Sequence, residues 1–497
     1  MLPRVEIASG QLEGRRAGGV ESFLGIPFAK PPTGALRFCP PQPAAPWRGV
    51  RAADAFGGSA PQNALDAGML PGMQVGRQNE DCLFLNVYTP AADAGRRPVL
   101  VWIHGGAFTI GSGSQAIYDG SRLARRGDAV VVTINYRLGA LGFLDLEPRF
   151  GDGWSCNLGL LDQIEALAWV RENIDRFGGD PGNVTIFGES AGGMSVGTLL
   201  GCPAARGLFH RAIPQSGAAH NTHDRETAGR VVDFFLRELG SAGASALRDA
   251  PVERLLAAQL QCMMRVSELG VLLAFQPTSG DAVLSEPPLA AVRAGSAAGV
   301  PLLIGTTRDE WRLFEWMDPA LAALDDAGFA ARVAQRVDPA AAPALAESYR
   351  KQAPGDGPVD HFVAFETDRV FRVPAARLAD AQSAHAPVYG YEFAWRSPAL
   401  RGALGACHAV ELPFVFGTLD APGMDRFSGS GPDAERLSAA VMDAWIAFAR
   451  AGDPHHAGIP LWPRHDPATR PTLVFDREPR VERAPRDRTL RAWDGLR

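Results

Sequence analysis

The run Gly188-Glu189-Ser190-Ala191-Gly192 constrains this chain more than any other stretch of it. Small residues on both sides of a serine permit a strained turn, which lifts the hydroxyl above a sheet when a strand precedes it and a helix follows. The flanks have that form. Val184-Thr185-Ile186-Phe187 is a short β-rich run, and Ala191 to Leu200 reads as a helix. Upstream, Val99 to His104 and Ala129 to Asn135 are continuous apolar runs rich in β-branched residues, as strands buried on both faces of a parallel sheet require. Between Leu158 and Phe177 apolar residues recur at helical spacing, and the pattern stops at Gly178-Gly179-Asp180-Pro181. Arg211 to Ile213, Pro301 to Ile304 and Val388 to Phe393 are further strand candidates.

The first hundred residues set short apolar runs between Gly and Pro, which predicts short strands joined by turns. The expected class is α/β: a central, mostly parallel sheet with helices on both faces, a small N-terminal antiparallel β region and long helical excursions. Ala-rich Glu226 to Glu268 and Pro319 to Gln352 are helical in composition and belong to those excursions. The expected organisation is one domain over residues 1–497 with insertions at about 220–300 and 312–385, and a surface tail after Asp476.

Charge narrows the function. The net −6 arises from 55 acidic and 49 basic residues mixed along the chain, so nothing favours nucleic acid or an anionic membrane surface. The first residues lack the apolar run of a signal peptide, and no uninterrupted apolar stretch reaches about 18 residues, the length a spanning helix needs. A cytoplasmic protein off the membrane is expected. The six cysteines are scattered, form no CxxC pair, and read as free thiols. No metal and no cofactor are expected.

A serine hydroxyl at neutral pH needs a base, an orienting acid and donors for the oxyanion it creates. His104-Gly105-Gly106-Ala107-Phe108 follows a buried strand, and its glycines let backbone N–H groups face a developing negative charge. Ala191 N–H, next to Ser190, is the complementary donor. A plain glycine turn is the structural alternative. Among ten histidines, His220, His223, His455, His456 and His465 lie in polar surroundings and read as solvated, whereas His408 enters an apolar segment downstream of the last good strand. The chain order Ser, acid, His favours His408 as base. The acid belongs at the end of Pro301 to Ile304, where Asp309 and Glu310 stand side by side. Pattern does not choose between them, although Asp309 is the better helix cap. Phe108, Met194, Leu273, Phe275, Leu313 and Phe314 are candidates to line a substrate pocket, with core packing the competing role.

These residues resemble the type-B carboxylesterase family, which includes bacterial esterases such as the p-nitrobenzyl esterases, and the cholinesterases. The resemblance runs from Gly25 to about Pro463. It is carried by Pro31-Pro32 with Leu36-Arg37-Phe38, Asn79-Glu80-Asp81-Cys82-Leu83, the His104 run, Asn135-Tyr136-Arg137-Leu138-Gly139, Asp162-Gln163, the Ser190 run, Gln215-Ser216-Gly217, Gly305 to Glu310, and His408 to Gly417. It implies an α/β-hydrolase fold and a serine carboxylesterase acting on small-molecule esters. Ser190 would be nucleophile, His408 base and Glu310 acid, with Gly105, Gly106 and Ala191 forming the oxyanion hole. Glu189 and Ser216 would support them, and Arg37 with Glu80 and Arg137 with Asp162 would be structural ion pairs.

An amidase, carbamate hydrolase or lipase with the same triad is the alternative, and a non-catalytic binding module of the same fold is a third reading. The oligomeric state is not specified by the motifs. Three departures stand out. Cys82 has no cysteine near Ala60-Pro61-Gln62 to pair with, so it is expected to be free. Pro61 to Cys82 holds no aromatic residue to bind choline, which argues against cholinesterase specificity. Trp311 stands where the family usually has Gly and is expected to narrow the leaving-group side. Cys407, beside the base, would make activity sensitive to bulky thiol reagents.

Overall fold

The structure, a computed structural model, describes residues 2–63, 72–151, 154–241 and 243–496. Part of the aromatic-free stretch between Pro61 and Cys82, residues 64–71, lies outside the described residues. In chain order the strands are β1 (Arg4–Ile7), β2 (Gly10–Glu13), β3 (Arg15–Ala17), β4 (Val20–Pro27), β5 (Val50–Ala52), β6 (Phe84–Thr89) and β7 (Arg97–Ile103). They continue as β8 (Val130–Ile134), β9 (Gly179–Glu189), β10 (Arg211–Gln215), β11 (Leu302–Thr307), β12 (Val388–Phe393), β13 (Pro471–Phe475) and β14 (Arg480–Arg483).

The main sheet has the order β14-β13-β12-β11-β10-β9-β7-β8-β6-β4-β3. From β8 to β13 every neighbouring pair is parallel, while β3, β4 and β6 at one edge and β14 at the other run antiparallel. A separate small sheet joins β1 and β2 antiparallel and adds β5 parallel to β2.

The β-branched runs build the middle of this sheet because both faces are covered. Along β7, Val99, Val101 and Ile103 belong to one apolar core, and Leu100 and Trp102 to the other. Side chains two apart share a face, so one strand feeds two cores. Helix Leu158–Asn173 packs into the first core through Leu160, Leu167 and Val170. Helix Pro432–Ala451 closes the second through Val441, Trp445 and Phe448. The excursions leave between β10 and β11, with helices including Arg225–Leu239 and Val252–Met264, and between β11 and β12, with helices including Asp326–Ala334, Ala342–Gln352 and Pro358–Thr367.

Two ion pairs tie these layers. Arg137 donates from Nε and Nη2 to the two oxygens of Asp162 at 2.8 and 2.7 Å, and both side chains are buried. Arg37 grips Glu80 in the same forked manner at 2.7 and 2.6 Å. Cys82 is buried and free, as are Cys156, Cys202, Cys262 and Cys407.

Five expectations are corrected here. The segment after Asp476 is no surface tail: β14 pairs with β13, helix Asp487–Ala492 follows, and Trp493 is 2% exposed. Trp493 Nε1 donates to the Tyr349 hydroxyl at 2.8 Å, and its ring stacks on Phe365 at 5.5 Å. His223 is buried, its ring hydrogen-bonded to Ala274 and Gln276, and burial pushes the His220 imidazole down to about 3. The His465 side chain is covered and bonded to Asp380 rather than solvated. Cys407 is wholly buried and burial holds its thiol far above the usual range, so thiol reagents have no reactive group to meet there.

Candidate active site

The serine turn is strained as its sequence demands. Ser190 sits at φ 55°, ψ −125°, between the end of β9 and helix Ala191–Leu200, a conformation that costs about 1–3 kcal/mol for a residue with a side chain. Ser190 N–H donates to Gln215 O at 3.0 Å, and Met194 N–H donates to Ser190 O at 2.8 Å, so β10 and the helix hold the turn from both sides. The flanking glycine is obligatory: a Cβ on Gly192 would collide with the Ile103 carbonyl.

The upstream glycines reach the same turn. A Cβ on Gly105 would lie 2.7 Å from Glu189 O and 3.1 Å from Ser190 Cβ, so the backbone after β7 passes directly beside the nucleophile candidate. None of the N–H groups of Gly105, Gly106 or Ala191 donates to another described residue. The loop itself is locked. Tyr136 donates to His104 O at 2.7 Å and its ring stacks on the His104 ring at 4.5 Å. Burial pushes the His104 imidazole down to about 4, so at neutral pH it stays uncharged beside the free donors.

The two carboxylates after β11 part company. Glu310 is fully buried, accepts from Thr307 N–H at 2.8 Å through Oε1, and places Oε2 2.6 Å from His408 Nδ1. Asp309 faces the other way. Its Oδ2 accepts from Ala406 N–H at 2.9 Å and its N–H donates to Ala406 O at 2.9 Å, fastening the loop that carries His408. The helix Arg312–Glu315 has no side-chain cap, so Asp309 is a loop clamp rather than the helix cap anticipated.

Beyond Glu310, His408 meets a second acid. Its Nε2 lies 3.0 Å from Glu189 Oε1, and no hydrogen bond from His408 to the Ser190 hydroxyl forms in this state. Burial presses the imidazole toward neutrality, but Glu189 and Glu310 outweigh it and raise His408 to about 9. Burial also raises Glu189 to about 7, against the pull of His408, and raises Glu411 to about 8, with Glu189 and Glu310 adding to the effect. Glu411 is anchored by Gln215, whose Nε2 donates to its Oε1 at 3.2 Å, while Trp445 Nε1 donates to Gln215 Oε1 at 3.1 Å. Three buried carboxyl groups, Glu189, Glu310 and Glu411, thus act on one imidazole, and their mutual repulsion favours a proton on Glu189 or Glu411.

Of the other candidates, Phe314 packs on the His408 ring at 5.2 Å. Met194 opens the helix behind Ser190, and Phe108 lies in the glycine loop with its ring against Phe143 at 5.0 Å. Phe275 meets Phe235 in the core, Leu273 packs against the same core, and Leu313 faces the opposite core. Ser216 is buried at φ 47°, and its hydroxyl has no hydrogen-bond partner among the described residues. Trp311 stacks against Phe314 at 4.8 Å and approaches Phe371 at 6.5 Å, bracing the rings that cover His408.

Glu411 and Phe371 were missed. Glu411 lies three residues after His408, in the turn that precedes helix Leu412–Phe416. Phe371 lies on the His408 ring at 4.9 Å, carried there by a π-helical turn over Asp368–Arg372 that composition does not announce.

A serine at a strained strand-to-helix turn, on a mostly parallel sheet, with a paired glutamate and histidine carried after later strands, defines an α/β-hydrolase. The sequence model of the carboxylesterase family matches residues 2–493. The para-nitrobenzyl esterase of Bacillus subtilis is 43% identical over 490 residues, covering 96% of this chain and 95% of that protein. The phenmedipham hydrolase of Pseudarthrobacter oxydans is 39% identical, over 93% of this chain and 92% of that one. A carboxylesterase of Geobacillus stearothermophilus superposes with a TM-score of 0.89 at 42% identity, covering 99% of both chains. The chain belongs to the carboxylesterase family and is a carboxylic ester hydrolase.

Proposed function

We propose that the protein hydrolyses small-molecule carboxylic esters through an acyl-enzyme on Ser190, with His408 as general base and Glu310 as its orienting acid. The observation that carries this reading is the 2.6 Å contact of Glu310 with His408 Nδ1, next to a strained serine flanked by free backbone donors. His408 Nε2 turns from Glu189 to take the Ser190 proton as the hydroxyl attacks the ester carbonyl. Its proton then passes to the departing alcohol. Gly105, Gly106 and Ala191 N–H groups stabilise the oxyanion, an interaction worth roughly 3–4 kcal/mol per donor in related sites. Glu310 stabilises the imidazolium, and the same histidine activates the water that releases the acid.

Phe314 and Phe371, braced by Trp311, form the apolar wall nearest the base. The whole chain works as one domain whose excursions cover the sheet, and the protein acts in the cytoplasm. Hydrolysis rates on p-nitrophenyl esters of graded acyl length, beside matched anilides and carbamates, test the substrate class. Esters are expected to be fastest by at least about a hundredfold, roughly the 3 kcal/mol that a well-matched pocket supplies. Faster anilide or carbamate cleavage contradicts it. In the same assays Glu310→Gln is expected to lower kcat far more than Asp309→Asn; the reverse order reassigns the acid.

A further inference from the structure

A partly open pocket lies on the sheet face covered by helix Val373–Ser383, lined at one end by Ala484, Pro485 and Leu490 of the C-terminal segment. Its volume is about 80 Å³, and Arg372, Arg470, His465, Glu392, Ala376 and Ala484 are among its walls. A water occupies roughly 30 Å³ of liquid, so the space takes two or three waters or one small polyatomic ion. None of its walls is a residue of the ester-hydrolysing site.

Arginines and carboxylates pair closely around this space. Glu392 faces Arg308 at 2.8 Å, Arg486 at 3.9 Å and Arg372 at 4.0 Å. Asp380 takes both Arg470 and His465 at 2.8 Å, and Asp368 pairs with Arg372. The Nε–H groups of Arg372 and Arg470 are buried and lack an acceptor among the described residues. A buried guanidinium N–H left without an acceptor is unfavourable, and an oxygen acceptor in the space removes the deficit.

The backbone around the space is strained as well. Arg470 and Ala484 hold φ of 38° and 41°, joined by the Ala484 N–H donating to Arg470 O at 3.1 Å, and Arg486 follows at 68°. Left-handed conformations at residues with side chains persist where surrounding structure over-determines them, and they gather at ligand clamps.

We propose that this space binds a small oxyanion, a phosphate or a short carboxylate, through the Nε–H groups of Arg372 and Arg470. This goes beyond ester hydrolysis and does not depend on it. The full-length protein is titrated with sodium phosphate and, separately, with sodium acetate, against sodium chloride at equal ionic strength, reading the melting temperature. At least one of the two is expected to raise it saturably, and the anion that does so names the class. Ala376→Leu, which fills the space, is expected to abolish the saturable part without changing p-nitrophenyl ester hydrolysis, and Arg470→Gln to weaken it about tenfold, the loss of one charge-assisted bond. Should Ala376→Leu fail to fold, phosphorus-31 line broadening of phosphate by the wild type and Arg470→Gln gives the same comparison. Shifts equal to chloride for both anions, or a shift identical in wild type and Ala376→Leu, overturn the proposal and leave the space to water.

Discussion

Glu189 is the side chain that most directly sets the working pH. In the proposed mechanism His408 must be neutral to accept the Ser190 proton, yet Glu189 at 3.0 Å and Glu310 at 2.6 Å both favour its charged form, raising it to about 9. Removing one of the two negative charges lowers the imidazole pKa. Glu189→Gln is therefore expected to move the acid limb of the kcat/KM profile to lower pH by about one unit or more, the usual effect of a carboxylate at this distance. A limb that stays in place shows that Glu189 does not face the working imidazole. At this scale the sequence was legible where chemistry is local. The strained serine and the glycine loop announce themselves, whereas Asp309 and Glu310 are one step apart on a turn, and only the family resemblance distinguished them. The fold explains why: successive residues after β11 point in opposite directions, one to the loop backbone at Ala406 and one to His408. Glu411 meets its partners only through tertiary packing, so no pattern along the chain announces its role.

Elements were legible in proportion to how uniformly they are buried. The strands β7, β8 and β12 match their β-rich runs because a parallel strand covered on both faces has no polar alternation to confuse it. Helix Ala191–Leu200 has the bounds its pattern predicts, and the helical spacing from Leu158 ends in a 3-10 turn over Ile174–Phe177. The π-helical turn at Asp368–Arg372 was invisible, since one extra residue in a helical turn leaves no mark in composition. The bond between elements that matters most is Arg137 with Asp162, which ties the loop after β8 to helix Leu158–Asn173. Both ends are buried and forked, so removing one charge strands the other. Asp162→Asn is expected to cost about 3–5 kcal/mol in urea unfolding. A loss under about 1 kcal/mol, the range of exposed pairs, contradicts a buried structural role.

For the whole molecule, the order of Ser190, Glu310 and His408 in the proposed triad follows from the sheet: the segments after β9, β11 and β12 carry the three residues at the carboxyl ends of the parallel strands. The C-terminal segment misled sequence reading because arginine and proline dominate it, while its one decisive residue, Trp493, closes a core made by Tyr349 and Phe365 of a distant excursion. Trp493→Ala is expected to destabilise the fold by about 3–5 kcal/mol, the usual cost of deleting a large buried ring. A melting temperature unchanged in that variant returns the segment to the surface. The assignment of Ser190 as nucleophile meets its most direct test in mass spectrometry of the fluorophosphonate-treated protein. A single adduct on the peptide carrying Ser190, absent from a folded Ser190→Ala variant that has lost ester hydrolysis, is the expected result. An adduct on another residue, or hydrolysis surviving in Ser190→Ala, contradicts it.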